Sequence, residues 1–294
     1  MILAAVLLLS TGLVGWLGPR LLRKLTFAAP RVAIAAWLAS IAGVLLSAVA
    51  GVLLVVLPGH GPADAITAVL HECWSTLSHA GFPQLDPIAA LAALALVAWG
   101  AVHIGRIARR RRRHREQVRG QHEAALRILR PADAGAYPTL WLDRDEPMAY
   151  SFDGPPALVV ATSGLQERLS DRELQAVLAH EHAHLKGHHH RLVRIAEIAG
   201  SGLHFVPLMR DAPAALHLLV ELAADRAAAA ECGVAPLRSA LLAMTGDTQV
   251  RLRELNRPAA PFPAFRSLFA GVTAVLAPAL STGILLLLSG FVWC

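Results

Sequence analysis

Within the run His180-Glu181-His182-Ala183-His184, two imidazoles stand four residues apart, with a carboxylate directly after the first. On a helix that spacing projects His180 and His184 from one face about one turn apart, so a nitrogen of each can reach the same ion. Nitrogen donors held in this way suit zinc. Glu181 lies too near the first ligand to bind the same ion, yet near enough to reach a water on it. Zinc lowers the pKa of its water to about 7, and Glu181 can take the proton as the water attacks a peptide carbonyl, then pass it to the leaving amine. The chemistry expected is amide hydrolysis.

A catalytic zinc usually keeps three protein ligands and leaves a further position open. The third is expected downstream in Glu221-Leu222-Ala223-Ala224-Asp225, where two acids sit one turn apart in an otherwise apolar helix and need a partner. Glu221 is read as the ligand. Asp225 is read as the acceptor for the non-ligating nitrogen of a ligand histidine, which fixes that ring's tautomer. His217, one turn before Glu221, is the candidate for polarising the substrate carbonyl. His182 is expected to point away from the metal, and His188, His189 and His190 read as a solvated turn near the membrane.

The elements that must hold these residues follow from local signals. Ser170 and Glu173 form an [ST]-x-x-[DE] capping box, after which Leu174, Val177, Leu178 and Glu181 recur at helical spacing, with Gly187 as a stop. Further helices are expected over about 191–203 and 214–231, the latter ending at Gly233. Upstream, extended segments at Thr139–Leu142 and Ala157–Thr162 flank a turn-rich stretch that contains residues 148–152 and Gly154-Pro155-Pro156, which predicts a small antiparallel sheet. An amphipathic helix is expected over 116–129 and a loop over 132–137.

The rest of the chain is apolar: hydrophobic side chains make up 55% of 294 residues and the mean hydropathy is +0.50, so part of it belongs in a lipid bilayer. Crossing a bilayer takes about 17–25 residues of helix, and the stretches 2–18, 32–57, 88–105 and 268–293 qualify. No positive region precedes the first, so it reads as a retained span rather than a secretory signal. Arg20, Arg23, Lys24 and Arg31 follow the first span, and Arg106, Arg109 to Arg113 and Arg115 follow the third. The loop 58–87 has no Lys or Arg and carries Asp64, Glu72 and Asp86. Because cytoplasmic loops hold the positive excess, both termini are expected outside and the catalytic segment in the cytoplasm. The formal charge of +6 gathers at membrane boundaries rather than on one soluble face, which argues against nucleic acid as a partner. Cys73, Cys232 and Cys294 have no paired spacing, and only Cys73 and Cys294 share the outer side.

The expected architecture is therefore an α-helical membrane protein with four transmembrane helices and an α+β cytoplasmic protease domain. Residues 1–105 hold three spans and the outer loop, 106–265 the zinc metalloprotease domain, and 266–294 the fourth span.

Three segments carry a resemblance: Ala149-Tyr150-Ser151-Phe152, the run Leu158 to Leu165, and the run Glu173 to Glu181. Together they resemble the BlaR/MecR-type antirepressor metalloproteases and, less closely, the HtpX-type membrane proteases, over about residues 139–230. The resemblance implies a zincin-like fold, with His180, His184 and Glu221 as ligands and Glu181 as the base. It also implies that Leu158–Thr162 is the edge strand on which a substrate peptide docks. The sensors of that family carry a penicillin-binding domain after the last span. This chain ends at Cys294 without one, so direct β-lactam acylation is not expected. The function expected is a membrane zinc endopeptidase acting on a cytoplasmic or juxtamembrane protein, such as a transcriptional repressor. The rivals are a quality-control protease of the HtpX kind and a non-catalytic sensor stapled by zinc.

Overall fold

A computed structural model describes residues 2–25, 29–56, 97–113, 137–154, 156–244 and 248–256, with residues 91 and 95. The chain begins with helix α1 (Ile2–Leu25) and helix α2 (Pro30–Val56), and residues 97–113 are helical (α3). Among the described residues, Pro30–Val52 is the one helix long and apolar enough to cross a bilayer. The expected span 32–57 thus coincides with α2, and the expected span 2–18 lies in α1, whose last turns carry Arg20, Arg23 and Lys24. The expected span 268–293, the loop 58–87, the helix 116–129, and Cys73 and Cys294 lie outside the described residues, as does part of 88–105.

Three short strands follow: β1 (Thr139–Leu142), β2 (Ala149–Phe152) and β3 (Leu158–Thr162). They form one sheet in the order β1-β3-β2, with β1 parallel and β2 antiparallel to β3. This corrects the expected antiparallel pair. The stretch 149–152, taken as part of a turn, is itself a strand that occupies one edge of β3, so β1 pairs along the other edge in the parallel sense. It also corrects the docking edge. β3 is central and buried along its whole length, as its continuous apolar run Leu-Val-Val-Ala implies. Among the described residues the outer strands are β1 and β2, and β2 is the one that packs beside the helix carrying His180. Thr162 N–H donates to the Met148 carbonyl at 3.1 Å, which turns the main-chain groups of Ala149 and Ser151 away from β3.

A short helix α4 (Ser163–Arg168) leads to α5 (Asp171–Lys186), α6 (His189–Gly202), α7 (Pro207–Cys232), α8 (Val234–Ala243) and α9 (Gln249–Leu255). The capping box at the start of α5 is formed, with Ser170 N–H donating to Glu173 Oε2 at 2.8 Å. The same carboxylate accepts from the Ser239 hydroxyl of α8, which ties α8 to the start of α5. Gly187 closes α5 in a right-handed conformation, and the left-handed residue of the turn is His188, at φ 50°. α7 starts about seven residues earlier than the sequence suggests, with Pro207 in its first turn, where the missing N–H is no loss.

One core joins α1 and α2 to the domain that carries the histidines. Leu22, Ile34, Trp37, Ile41 and Val44 pack with Val193 and Ala196 of α6 and with Leu208, Met209, Leu216 and Leu219 of α7. Gly200 allows the close approach of α6 to α7, because a Cβ there would meet Pro213 Cγ at 2.8 Å and the Met209 carbonyl oxygen at 2.9 Å. α5 packs its other faces on β2, α7 and α8.

Candidate active site

α5 and α7 cross with their polar faces together, and this brings His180, His184, Glu221 and Asp225 into one cluster. His180 Nε2 and His184 Nε2 are 3.1 Å apart. Glu221 Oε2 lies 3.4 Å from His180 Nε2, and its Oε1 lies 3.5 Å from His184 Nε2. These separations are close to the roughly 3.3 Å edge of a tetrahedron with ~2.0–2.1 Å bonds, the preferred geometry of zinc. One donor atom from each of the three residues falls within 4.8 Å of the others, so the set could hold a metal ion.

The surroundings point the same way. Asp225, 1% exposed, lies 3.0 Å from His180 Nδ1, which directs Nε2 toward Glu221 as the sequence suggests. His184 has an equivalent support that the sequence reading missed: the buried His189 ring lies 3.2 Å from His184 Nδ1. The expectation of a solvated turn at 188–190 is corrected, since only His188 is exposed. The left-handed residue at 188 lets the chain turn back at once, so α6 begins with His189 facing α5.

Titration of these groups reflects the crowding of charge. Burial opposes protonation of His180, but hydrogen bonds to Asp225 and Glu221 outweigh it and raise its pKa. Burial, and then the positive charge of His180, push His184 far down. Burial holds His189 down to about 4, so this support is a neutral ring at neutral pH. Burial opposes ionisation of Glu221 and Asp225, yet hydrogen bonds from His180 to the first and from Arg251 and His180 to the second keep both carboxyls ionised. Once His180 is neutral, as a ligating imidazole must be, Glu221 and Asp225, with Glu181 beside them, outnumber the one guanidinium of Arg251 and favour a cation. The donor set therefore fits a divalent cation in number, geometry and charge.

Glu181 lies beside His180, and burial raises its pKa above the ordinary carboxylate value. The Ser151 hydroxyl and main-chain N–H, on the outer edge of β2, oppose that rise. Ser151 Oγ in turn lies 3.0 Å from His190 Nε2. Nothing in local spacing marks Ser151 or His190 as part of the site beyond their nearness to motif residues.

Two clefts meet at this cluster. One of about 390 Å³ holds His180, Glu181 and Arg251 against apolar Val177, Leu237, Leu241 and Met244. The other, of about 1170 Å³, runs past His184 and Glu221 toward Arg111, Arg191, Arg194 and His217. His217 is mostly exposed and sits 3.4 Å from Glu197 on the rim, so it lines the larger cleft but is not brought to the cluster of His180, His184 and Glu221. His182 turns away, as expected, with Nε2 3.2 Å from the Tyr137 carbonyl oxygen. It lines a separate cavity of about 910 Å³ on another face of α5.

No curated protein and no solved structure matches the chain. Residues 114–244, which include the sheet, His180, His184, Glu221 and Asp225, match the model of peptidase family M48, and this similarity supports a metalloprotease function.

Proposed function

We propose that the chain is a membrane-embedded zinc endopeptidase. The observation that carries this reading is the convergence of His180, His184 and Glu221, with the buried Glu181 beside them on the same cleft. His180, His184 and Glu221 would hold the ion, while Asp225 and His189 fix the orientation of the two rings. Zinc bound there would supply a Lewis acid that activates water. Glu181, its pKa raised by burial, takes a proton from the attacking water and delivers it to the departing amine nitrogen. The outer edge of β2 offers the main chain of Ala149 and the carbonyl of Ser151 to an extended substrate peptide. The apolar wall at Leu237, Leu241 and Met244 receives a side chain of that peptide.

Membrane residence is supported by Pro30–Val52 and by large apolar side chains left exposed on α1, including Leu9, Leu13, Trp16 and Leu21. The charge distribution favours a cytoplasmic catalytic domain with both termini outside. Reporter fusions at Gly120 and Gly61 are expected to report cytoplasm and exterior respectively, and the reverse result would contradict that orientation. A regulatory target such as a repressor follows from the likeness to the BlaR/MecR type.

A second reading, a quality-control peptidase of the HtpX kind, is favoured by the core shared between α7 and the first two helices. That core holds the cleft close to the lipid and suits a membrane-protein substrate. Full-length protein purified in detergent is expected to cleave an unfolded soluble protein, to stop on chelation and to recover with zinc. Cleavage confined to membrane-protein substrates favours the second reading, and cleavage indifferent to chelators would overturn both.

A further inference from the structure

We infer that Arg251 is a positioning residue of the metal centre, the group that locks Asp225 and Glu221 in the orientations needed to bind the ion. The inference rests on the metallopeptidase reading above and extends it to a residue outside the matched segment, which ends at 244.

Arg251 lies on α9, packed against α7 and α8, and its side chain is largely buried. Its guanidinium uses three nitrogens. Nε donates to Asp225 Oδ2 at 2.8 Å and an Nη donates to Asp225 Oδ1 at 2.6 Å, a two-bond fork on one carboxylate. The other Nη lies 3.2 Å from Glu221 Oε2. Asp225 Oδ1 is also the atom 3.0 Å from His180 Nδ1. One planar cation therefore fixes both the acid that orients a histidine ligand and the acid that is itself a ligand.

Three physical consequences follow. First, the fork holds the Asp225 carboxylate plane, and with it the His180 ring, so that Nε2 and not Nδ1 faces the ion. Second, a contact on one oxygen of Glu221 restrains the carboxylate while its second oxygen stays directed at His184. Third, the guanidinium offsets one of the carboxylates clustered at the site. A lysine would supply the charge but only one point of contact, so the geometry asks for arginine.

The test compares the full-length wild type with Arg251→Ala, Arg251→Lys, Asp225→Ala and the Arg251→Ala/Asp225→Ala double variant in detergent. Zinc affinity is read by competition with a chromophoric chelator, and ligand geometry by the visible spectrum of the cobalt-substituted protein. Arg251→Ala is expected to weaken zinc binding by about 10–100-fold and to alter the cobalt spectrum, as loss of a group supporting a ligand does. Arg251→Lys is expected to recover only part of the affinity. The double variant is expected to bind zinc little worse than the weaker single variant, because both substitutions break one linkage. Arg251→Ala with zinc affinity within twofold of wild type and an unchanged cobalt spectrum would overturn the assignment. If Arg251→Ala does not fold, Arg251→Lys decides: affinity equal to wild type refutes the need for the fork. A wild type that binds no zinc overturns the metallopeptidase reading itself, an outcome distinct from failure of the Arg251 assignment alone.

Discussion

Glu181→Gln is expected to lower the rate of peptide hydrolysis by about 10²–10⁴-fold, the usual contribution of a positioned general base, while leaving the metal content and the melting temperature near those of the wild type. The substitution is nearly isosteric, and the amide oxygen can still accept from the neighbouring Ser151, whose hydroxyl and main-chain N–H favour the ionised carboxylate in the wild type. What is lost is the ability to take up and return a proton. The effect should fall on kcat and spare KM, because Glu181 is assigned no role in holding the peptide. A Gln variant that keeps activity within a few-fold of the wild type would remove Glu181 from the chemistry and leave the cluster as a binding site only.

The second large effect is expected at a ligand. His184→Ala deletes one of the three donors that could hold a metal ion, and it frees the His189 ring that now rests 3.2 Å from His184 Nδ1. Zinc binding should weaken by more than the ~10–100-fold typical of losing a supporting group, and hydrolysis should disappear at zinc concentrations that saturate the wild type. Asp225→Ala should fall between the wild type and His184→Ala in affinity, since it removes the support of His180 and not a donor. Equal zinc affinity in His184→Ala and the wild type would mean that the ion, if bound, sits elsewhere.

The site was legible in the sequence where it obeys helical periodicity. His180 and His184 share a face because 3.6 residues make a turn, and Glu221 and Asp225 do so for the same reason, so two local patterns sufficed to name four residues that the fold brings together. Arg251 could not be found that way. It lies far along the chain, on a short helix that also carries Arg253, and nothing in local spacing separates a guanidinium forked on Asp225 from one in solvent. His189 and His190 were misread because a glycine followed by three histidines looks like a polar turn. The left-handed conformation falls instead on His188, and the next two rings are turned inward.

The sheet failed for a related reason. Ala149–Phe152 is only four residues long and lies among turn formers, so its pairing with β3 depends on tertiary contacts that no short window contains. The consequence is functional, because that strand and not β3 carries the outer edge beside Glu181. α1 and α2 were readable as apolar helices from composition and length. Their packing against α7 was not, since an apolar helix looks the same whether it faces lipid or a protein core.

The most direct measurement is the zinc content of the full-length protein, purified in detergent without added metal and counted by mass spectrometry against protein concentration. The expected result is close to one zinc per chain, removed by a strong chelator and absent from His184→Ala. A folded wild type carrying no zinc, or zinc retained in full by His184→Ala, would contradict the assignment of His180, His184 and Glu221 as the metal centre.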